Sequence, residues 1–252
     1  MTAPDLNGKV VLLTGGGGGL GRAMALGLAD CGARVAVLDI DAASADAVTA
    51  EIRNRHGVDA AIAIVCDISI ESDCQHAVER TLAELGGLHV LVNNAAIGMR
   101  FISEDFVDTP PKFWEYSADR FQALMDVNVR GTFLMSQAVV HHLMDQGAIE
   151  AAAASWAEDL DGTGVTVNVL IPGGAANTTM IPEHSSLDRD KINQPEVMIA
   201  PICWLASNES DGVNRKRFIG RDWDPSLPAS EAAVAAGGPA AWGALPPRPR
   251  SQ

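Results

Sequence analysis

Tyrosine is almost missing from this chain. Tyr116 is the only one in 252 residues, and lysine is nearly as scarce, with Lys9, Lys112, Lys191 and Lys216. Any chemistry that needs a phenol to pass a proton therefore has one candidate.

Basic charge is also short: Lys and Arg number 18 against 32 Asp and Glu, for a net charge of −14. Such a surface repels phosphate backbones, so nucleic acid is not expected as a partner. Four cysteines occur, Cys31, Cys66, Cys74 and Cys203, and no two form a C-x-x-C pair. Their spacing suits neither a zinc site nor a disulfide framework. Each is read as a small buried hydrophobe. The six histidines are scattered. The adjacent His141 and His142 would point about 100° apart on a helix, which favours a surface over a metal site. No metal site is expected. No apolar stretch approaches the roughly 18 residues of a membrane span, and Met1 to Lys9 carries no charged region followed by an apolar run. A cytoplasmic protein with no membrane contact is expected.

What the chain does have is apolar bulk, 47% hydrophobic residues, enough for the core of one α/β domain. Strand and helix patterns alternate over its first half, the signature of a parallel sheet with crossovers. Strands are expected at Lys9–Thr14, Arg34–Asp39, Ala60–Cys66 and Leu88–Asn93. Helices are expected at Leu20–Asp30, Ala42–Arg55 and Glu71–Leu85, then one long helix from Ala118 to Gln146. Past Gly147 the alternation breaks. An alanine-rich helix, Ala148–Leu160, follows with only Gly147 between. A strand at Val165–Ile171, a polar loop at Asn177–Gln194 and a helix at Glu196–Ala206 complete the domain. From residue 225 the chain is rich in Pro, Ala and Gly and is expected to be a flexible tail, which leaves a domain of residues 1–224.

Thr14-Gly15-Gly16-Gly17-Gly18-Gly19-Leu20-Gly21 lies between the first strand and the first helix. Glycines there let the backbone turn tightly and approach a pyrophosphate, and the helix start beyond them offers free N–H groups and a positive dipole end. A flexible linker would not sit inside a βαβ pattern. Asp39 ends the second strand, where a carboxylate can accept from ribose hydroxyls and repel a 2′-phosphate. Ile40 follows it, and no basic residue is placed to hold that phosphate. NAD is favoured over NADP.

These motifs together resemble the short-chain dehydrogenase/reductase family, over roughly residues 7 to 224. Thr14, Gly15, Gly19 and Gly21 match its T-G-x-x-x-G-x-G pattern, with Leu20 inside it. Cys66-Asp67-Ile68 is similar to the strand end that contacts adenine, and Asn93-Asn94-Ala95-Ala96 to N-N-A-G. Asp126 to Phe133 resembles the helix with the family's asparagine, at Asn128. Pro172-Gly173-Gly174, with Thr178 beyond, resembles the loop that meets the nicotinamide. The resemblance implies a Rossmann-type doubly wound parallel sheet, NAD as cofactor, a small-molecule alcohol or carbonyl substrate and a homo-oligomer paired through the long helix and its successor.

The family's reaction needs a tyrosine, a lysine four residues later, a serine and an asparagine. Only Asn128 of these has a counterpart. Tyr116 precedes Asn128, whereas the family's tyrosine follows it. The junction at 147/148 resembles the loss of a strand, a loop and half a helix, about one crossover unit. Serine 155 lies inside the alanine-rich stretch and has no base near it. The resemblance thus implies a sheet lacking one central strand. Three readings stay open: an NAD-dependent oxidoreductase, a catalytically inactive relative that binds NAD or a partner subunit, and a defective deletion product. The aromatics Phe101, Phe106, Phe113 and Trp114, with Met180 and Ile181, either line an apolar pocket or simply pack.

Overall fold

The computed structural model describes residues 4–144, 160 and 162–240. The 147/148 junction, Ser155 and nearly all of the expected helix at 148–160 lie outside the described residues.

The first half builds a four-stranded parallel sheet. Its strands are β1 (Val10–Thr14), β2 (Arg34–Asp39), β3 (Ala61–Val65) and β4 (Val90–Val92), in the order β3-β2-β1-β4. β1 is buried throughout, so its side chains split by period two between two cores. Val10 and Leu12 face one core with Ala36, Leu38, Ile62 and Ile64. Val11 and Leu13 face the other with Val35 and Val37. Helix α3 (Glu71–Leu85) covers the first face through Cys74, Ala77, Val78 and Leu85. Helices α1 (Gly19–Asp30) and α2 (Ala42–His56) cover the second through Met24, Leu28, Val48 and Ile52. Helices on both faces of a parallel sheet define a doubly wound α/β domain of the Rossmann kind.

Local chemistry sets the helix ends. Asp41 caps α2, its side chain accepting from the Ala43 N–H at 3.2 Å, and Arg53, Arg55 and His56 occupy the last turn, where the dipole favours cations. α3 stops at Gly86 in the left-handed region, φ 72°.

The expected continuous helix from Ala118 is divided. α4 (Ala118–Met125) runs into a wide π turn, Asp126–Gly131, and α5 (Thr132–Met144) follows. Two neighbours account for the widening. Asn128 reaches out to the backbone of Ile97, and Gly131 packs so close to Ile68 that a Cβ there would sit 2.7 Å from its side chain.

A second sheet, order β5-β6-β7, holds β5 (Val169–Ile171), β6 (Lys216–Ile219) and β7 (Gly237–Pro239). β5 is shorter than the expected Val165–Ile171, and β6 was not foreseen. Among the described residues β4 pairs with β1 and β5 with β6, and no pairing joins β4 to β5. A cavity of about 260 Å³ lies between them, walled by Val90–Asn93 on one side and Asn168–Leu170 on the other. Among the described residues, Asn93 Oδ1 is buried there without a hydrogen-bond partner.

The expectation of a flexible tail from residue 225 is corrected as far as residue 240. Ala229–Ala236 is a helix, α7, and β7 pairs antiparallel with β6. Ala232, Ala233 and Ala236 are buried against Trp204, Phe218 and Trp223. Trp204 lies on α6 (Ile199–Leu205), with its ring 5.7 Å from Phe218 and 5.6 Å from Trp223. An alanine-rich segment has small side chains, and a ready-made aromatic surface is what lets it dock. Residues 241–252 lie outside the described residues.

Truncation after Asp224 removes those three buried alanine methyls, worth roughly 2 kcal/mol. The melting temperature is expected to fall by about 5 °C, measured by circular dichroism. An unchanged midpoint would mean that the segment adds nothing.

Candidate functional site

The carboxyl ends of β1 and β4 are tied together by two side chains. The buried Thr14 hydroxyl accepts from the N–H groups of Asn94 and Ala95, at 3.1 and 3.0 Å, and donates to the Val92 carbonyl at 3.4 Å. In return, Asn94 Nδ2 donates to the carbonyls of Thr14 and Gly15, at 3.0 and 2.9 Å. The glycine loop starts from this brace. Gly15 has φ 64°, and a Cβ there would lie 2.8 Å from the Ala95 Cα. Gly21 is tighter still, since a Cβ would meet the Gly15 carbonyl oxygen at 1.9 Å.

The loop leads into α1. Its cap residue, Gly18, offers no side chain, and the first turn carries no acidic residue. The first N–H groups of α1 and its positive dipole end are left for a bound anion. Asp39 stands opposite, at the end of β2. One carboxylate oxygen accepts from the Gly17 N–H at 2.9 Å and the other from the Asp41 N–H at 3.1 Å. The carboxylate therefore braces the glycine loop and remains at the cavity wall.

These groups border a cavity of about 810 Å³ that runs along the carboxyl ends of the sheet. Asp39, Ile40, Asp67 and Ile68 form one end, with Gly15, Gly19 and Leu20 on the floor. Asn94, Ala95, Ala96, Pro172 and Thr178 line the rest. Asp67 is held by Ser69, whose N–H and hydroxyl both donate to one carboxylate oxygen, at 2.9 and 2.7 Å. Gly21 and Gly173 are not in the lining. Gly21 acts one step back, through its contact with Gly15. Gly173, φ 92°, turns the chain between Ile219 and Arg221.

Asn128 is not in the cavity lining, although its neighbour Val127 is, and its amide is tied to the backbone of Ile97. Its Oδ1 accepts from the Ile97 N–H at 2.9 Å and its Nδ2 donates to the Ile97 carbonyl at 2.8 Å. Tyr116 ends a short 3-10 turn and is not in the cavity lining. Of the four aromatics considered in the sequence, only Phe106 lines the cavity, beside Met180 and Ile181. Phe113 and Trp114 are 77% and 69% exposed and stack edge-on to each other at 5.0 Å.

The sequence reading missed how the two loops beyond the cavity join. Arg100 donates to the Thr179 carbonyl at 2.5 Å, His184 Nε2 pairs with Asp105 at 2.8 Å, and the Asp108 carboxylate accepts from the Ser186 N–H at 3.0 Å. Hydrogen bonds from the Ser186 side chain, and then from its backbone, hold the Asp108 carboxyl below its ordinary range. Each pair is about 80 residues apart in sequence, so no local pattern reveals it. Among the described residues, no group of three or more His, Cys, Asp or Glu is placed to hold a metal ion, and no helix is long and apolar enough to cross a membrane.

A glycine loop at the start of α1, a carboxylate at the end of β2 and a cleft at the strand ends define a nucleotide-binding α/β protein. The comparisons agree. The family model for short chain dehydrogenases matches residues 9–149. A 2,5-dichloro-2,5-cyclohexadiene-1,4-diol dehydrogenase of Sphingobium indicum is 32% identical, covering 83% of this chain and 94% of its own length. An L-fucose dehydrogenase of Bos taurus is 28% identical over 79% of this chain and 83% of its own. Among solved structures, a 3-ketoacyl-(acyl-carrier-protein) reductase of Brucella melitensis, complexed with NADH, superposes with a TM-score of 0.72. That reductase is 28% identical, over 83% of this chain and 95% of its own. The chain belongs to the short-chain dehydrogenase/reductase family, whose oxidoreductases use a nicotinamide cofactor.

Thr14→Val removes the acceptor for two inward-facing N–H groups. The expected cost is about 3 kcal/mol of stability, read from urea unfolding, with loss of any dinucleotide binding. A variant as stable as the parent would show that the brace is dispensable.

Proposed function

We propose that this protein binds NAD(H) in preference to NADP(H) and does not turn over an alcohol or carbonyl substrate. The observation that carries the second half is the absence of the acid–base pair. The chain's only tyrosine is Tyr116, which is not in the lining of the cavity and has Arg120 in place of a lysine four residues on.

The residues present suit the dinucleotide. The uncapped start of α1, bordered by Gly15, Gly19 and Leu20, would receive the pyrophosphate. Asp39 would accept from the adenosine ribose hydroxyls, and its charge would oppose a 2′-phosphate. That end of the lining, with Gly18, Leu38 and Ile40, contains no cation. Asp67 and Ile68 would flank the adenine. Asn94, Ala95, Ala96, Pro172 and Thr178 would border the nicotinamide half, with Gly21 and Gly173 shaping the two turns. When bound, NAD(H) supplies the hydride. The protein must then move a proton at the substrate oxygen, a contribution worth about 10² to 10⁴ in rate. Asn128, which resembles the family's asparagine in sequence, is outside the cavity lining, with its amide bonded to the backbone of Ile97.

Support for a lost segment comes from three directions. The family match stops at residue 149, just past Gly147. The alignment with the Sphingobium enzyme spans 251 positions yet takes in 83% of the 252 residues here, about 209, so some forty positions face no residue of this chain. The gap between β4 and β5, with the unpartnered Asn93 Oδ1 inside it, is where a strand would fit.

Two experiments test the proposal. Fluorescence titration is expected to give tighter binding of NADH than of NADPH, by tenfold or more, with Asp39→Ala narrowing the difference; equal affinities would remove the role of Asp39. Across a panel of alcohols, ketones and sugars, no NAD-linked turnover above background is expected. Turnover that disappears in Tyr116→Phe would reveal a relocated proton donor and overturn the reading.

A further inference from the structure

Basic residues are few in this chain, 18 against 32 acidic ones, yet three arginines border one small cavity. Arg22 comes from α1, Arg100 from the loop after β4, and Arg189 from the polar loop at 177–194. The cavity measures about 470 Å³. It lies beside the larger cleft. Gly19 and Thr178 border both spaces, and a Cβ at Gly19 would come within 3.2 Å of the Thr178 Cβ, so the two residues form a shared wall. The three arginines line the smaller cavity alone.

Two of these arginines are held in place without being neutralised. Arg100 donates through Nη1 to the Thr179 carbonyl. Arg189 donates to Asn177 Oδ1 and to the Ile181 carbonyl, both at 2.7 Å. Those acceptors are uncharged, and among the described residues neither arginine forms an ion pair with a carboxylate. Arg22 gives one nitrogen, Nη2, to Glu51. Glu183 and Glu196 also border the cavity, but neither pairs with an arginine there. Three arginines against two glutamates leave the lining with one positive charge in excess. Like charges around one small space repel each other, and a bound anion relieves that repulsion. A guanidinium carries five N–H donors in a rigid fork. Arg22 and Arg100 keep most of theirs for a ligand, while Arg189, more heavily bonded, adds charge.

We propose that this cavity binds a phosphoryl group, either free phosphate or the phosphate monoester of a small molecule. A carboxylate presents its oxygens in one plane and is matched by a single guanidinium fork. A phosphoryl group directs its oxygens several ways and carries more than one negative charge at neutral pH, which suits forks arriving from three segments. The site stands apart from the dinucleotide reading, because none of its arginines borders the larger cavity. Arg80, a surface arginine of α3 paired with Glu84 at 2.6 Å, serves as the reference.

Isothermal titration of the whole chain with inorganic phosphate, at an ionic strength held constant with chloride, tests the proposal. One phosphate is expected to bind per chain. Arg100→Gln and Arg22→Gln are each expected to weaken it by about tenfold, the worth of one charge-assisted hydrogen bond, while Arg80→Gln leaves it unchanged. Glu183→Gln is expected to tighten it. Glycerol 3-phosphate that binds with the same arginine dependence assigns the site to a phosphate monoester; its failure to bind where phosphate does assigns the site to the free ion. Saturating NADH should leave the phosphate in place. Displacement by NADH would put the ion at the start of α1 in the larger cavity and overturn the proposal. So would the absence of saturable binding, affinity that survives both arginine substitutions, or acetate binding as tightly as phosphate. If NADH itself fails to bind, the dinucleotide reading falls, and the arginine dependence still decides this one.

Discussion

The Thr14–Asn94 brace is the constraint on which the rest of the site depends. Parallel strands leave their carboxyl-end N–H and C=O groups pointing into a cleft, where each must find a partner or water. Here one threonine hydroxyl and one asparagine amide satisfy the ends of both β1 and β4. That fixes Gly15 against Ala95 and, through Gly15, the entry of α1. The opening of α1 then follows from glycines alone, and its dipole end is delivered to the cleft without a side chain in the way.

This brace lies wholly within residues 10 to 95, and both faces of the four-stranded sheet are packed by helices of the same stretch together with α5 and α6. The dinucleotide half can therefore stand even though β4 meets no strand on its other edge among the described residues. The second sheet closes on its own aromatic cluster of Trp204, Phe218 and Trp223, and β5 is left facing the gap. A proton-transfer site needs groups from both sides of that gap. A cofactor cradle needs mostly one side, with the Pro172–Thr178 loop laid across it. The separation of the two sheets thus bears unequally on binding and on catalysis.

Much of this was legible in the residues. A continuous apolar run ending in glycines marked β1, and Arg34–Asp39 and Glu71–Leu85 match the observed bounds. Asp39 was legible as the strand-end carboxylate, but its bond to the Gly17 N–H was not, since the same residue type in the same place serves either purpose. The π turn at Asp126–Gly131 escaped because all six residues are compatible with an ordinary helix, and only the pull of Asn128 on Ile97 and the packing of Gly131 on Ile68 widen it. The helix Ala229–Ala236 escaped because its alanines carry little apolar signal until the tryptophans they cover are in place.

Amide hydrogen exchange with and without NADH tests the central claim, an intact cofactor cradle beside an interrupted sheet, most directly. The account predicts strong protection of β1 and β2 in the free protein and faster exchange at the edges of β4 and β5 that face the gap. Added NADH should slow exchange at Gly15–Gly21 and Asn94–Ala96 while leaving β5 unchanged. No change at the glycine loop on adding NADH would contradict the claim of an intact cradle, and full protection of the β4 and β5 edges in the free protein would contradict the interruption of the sheet.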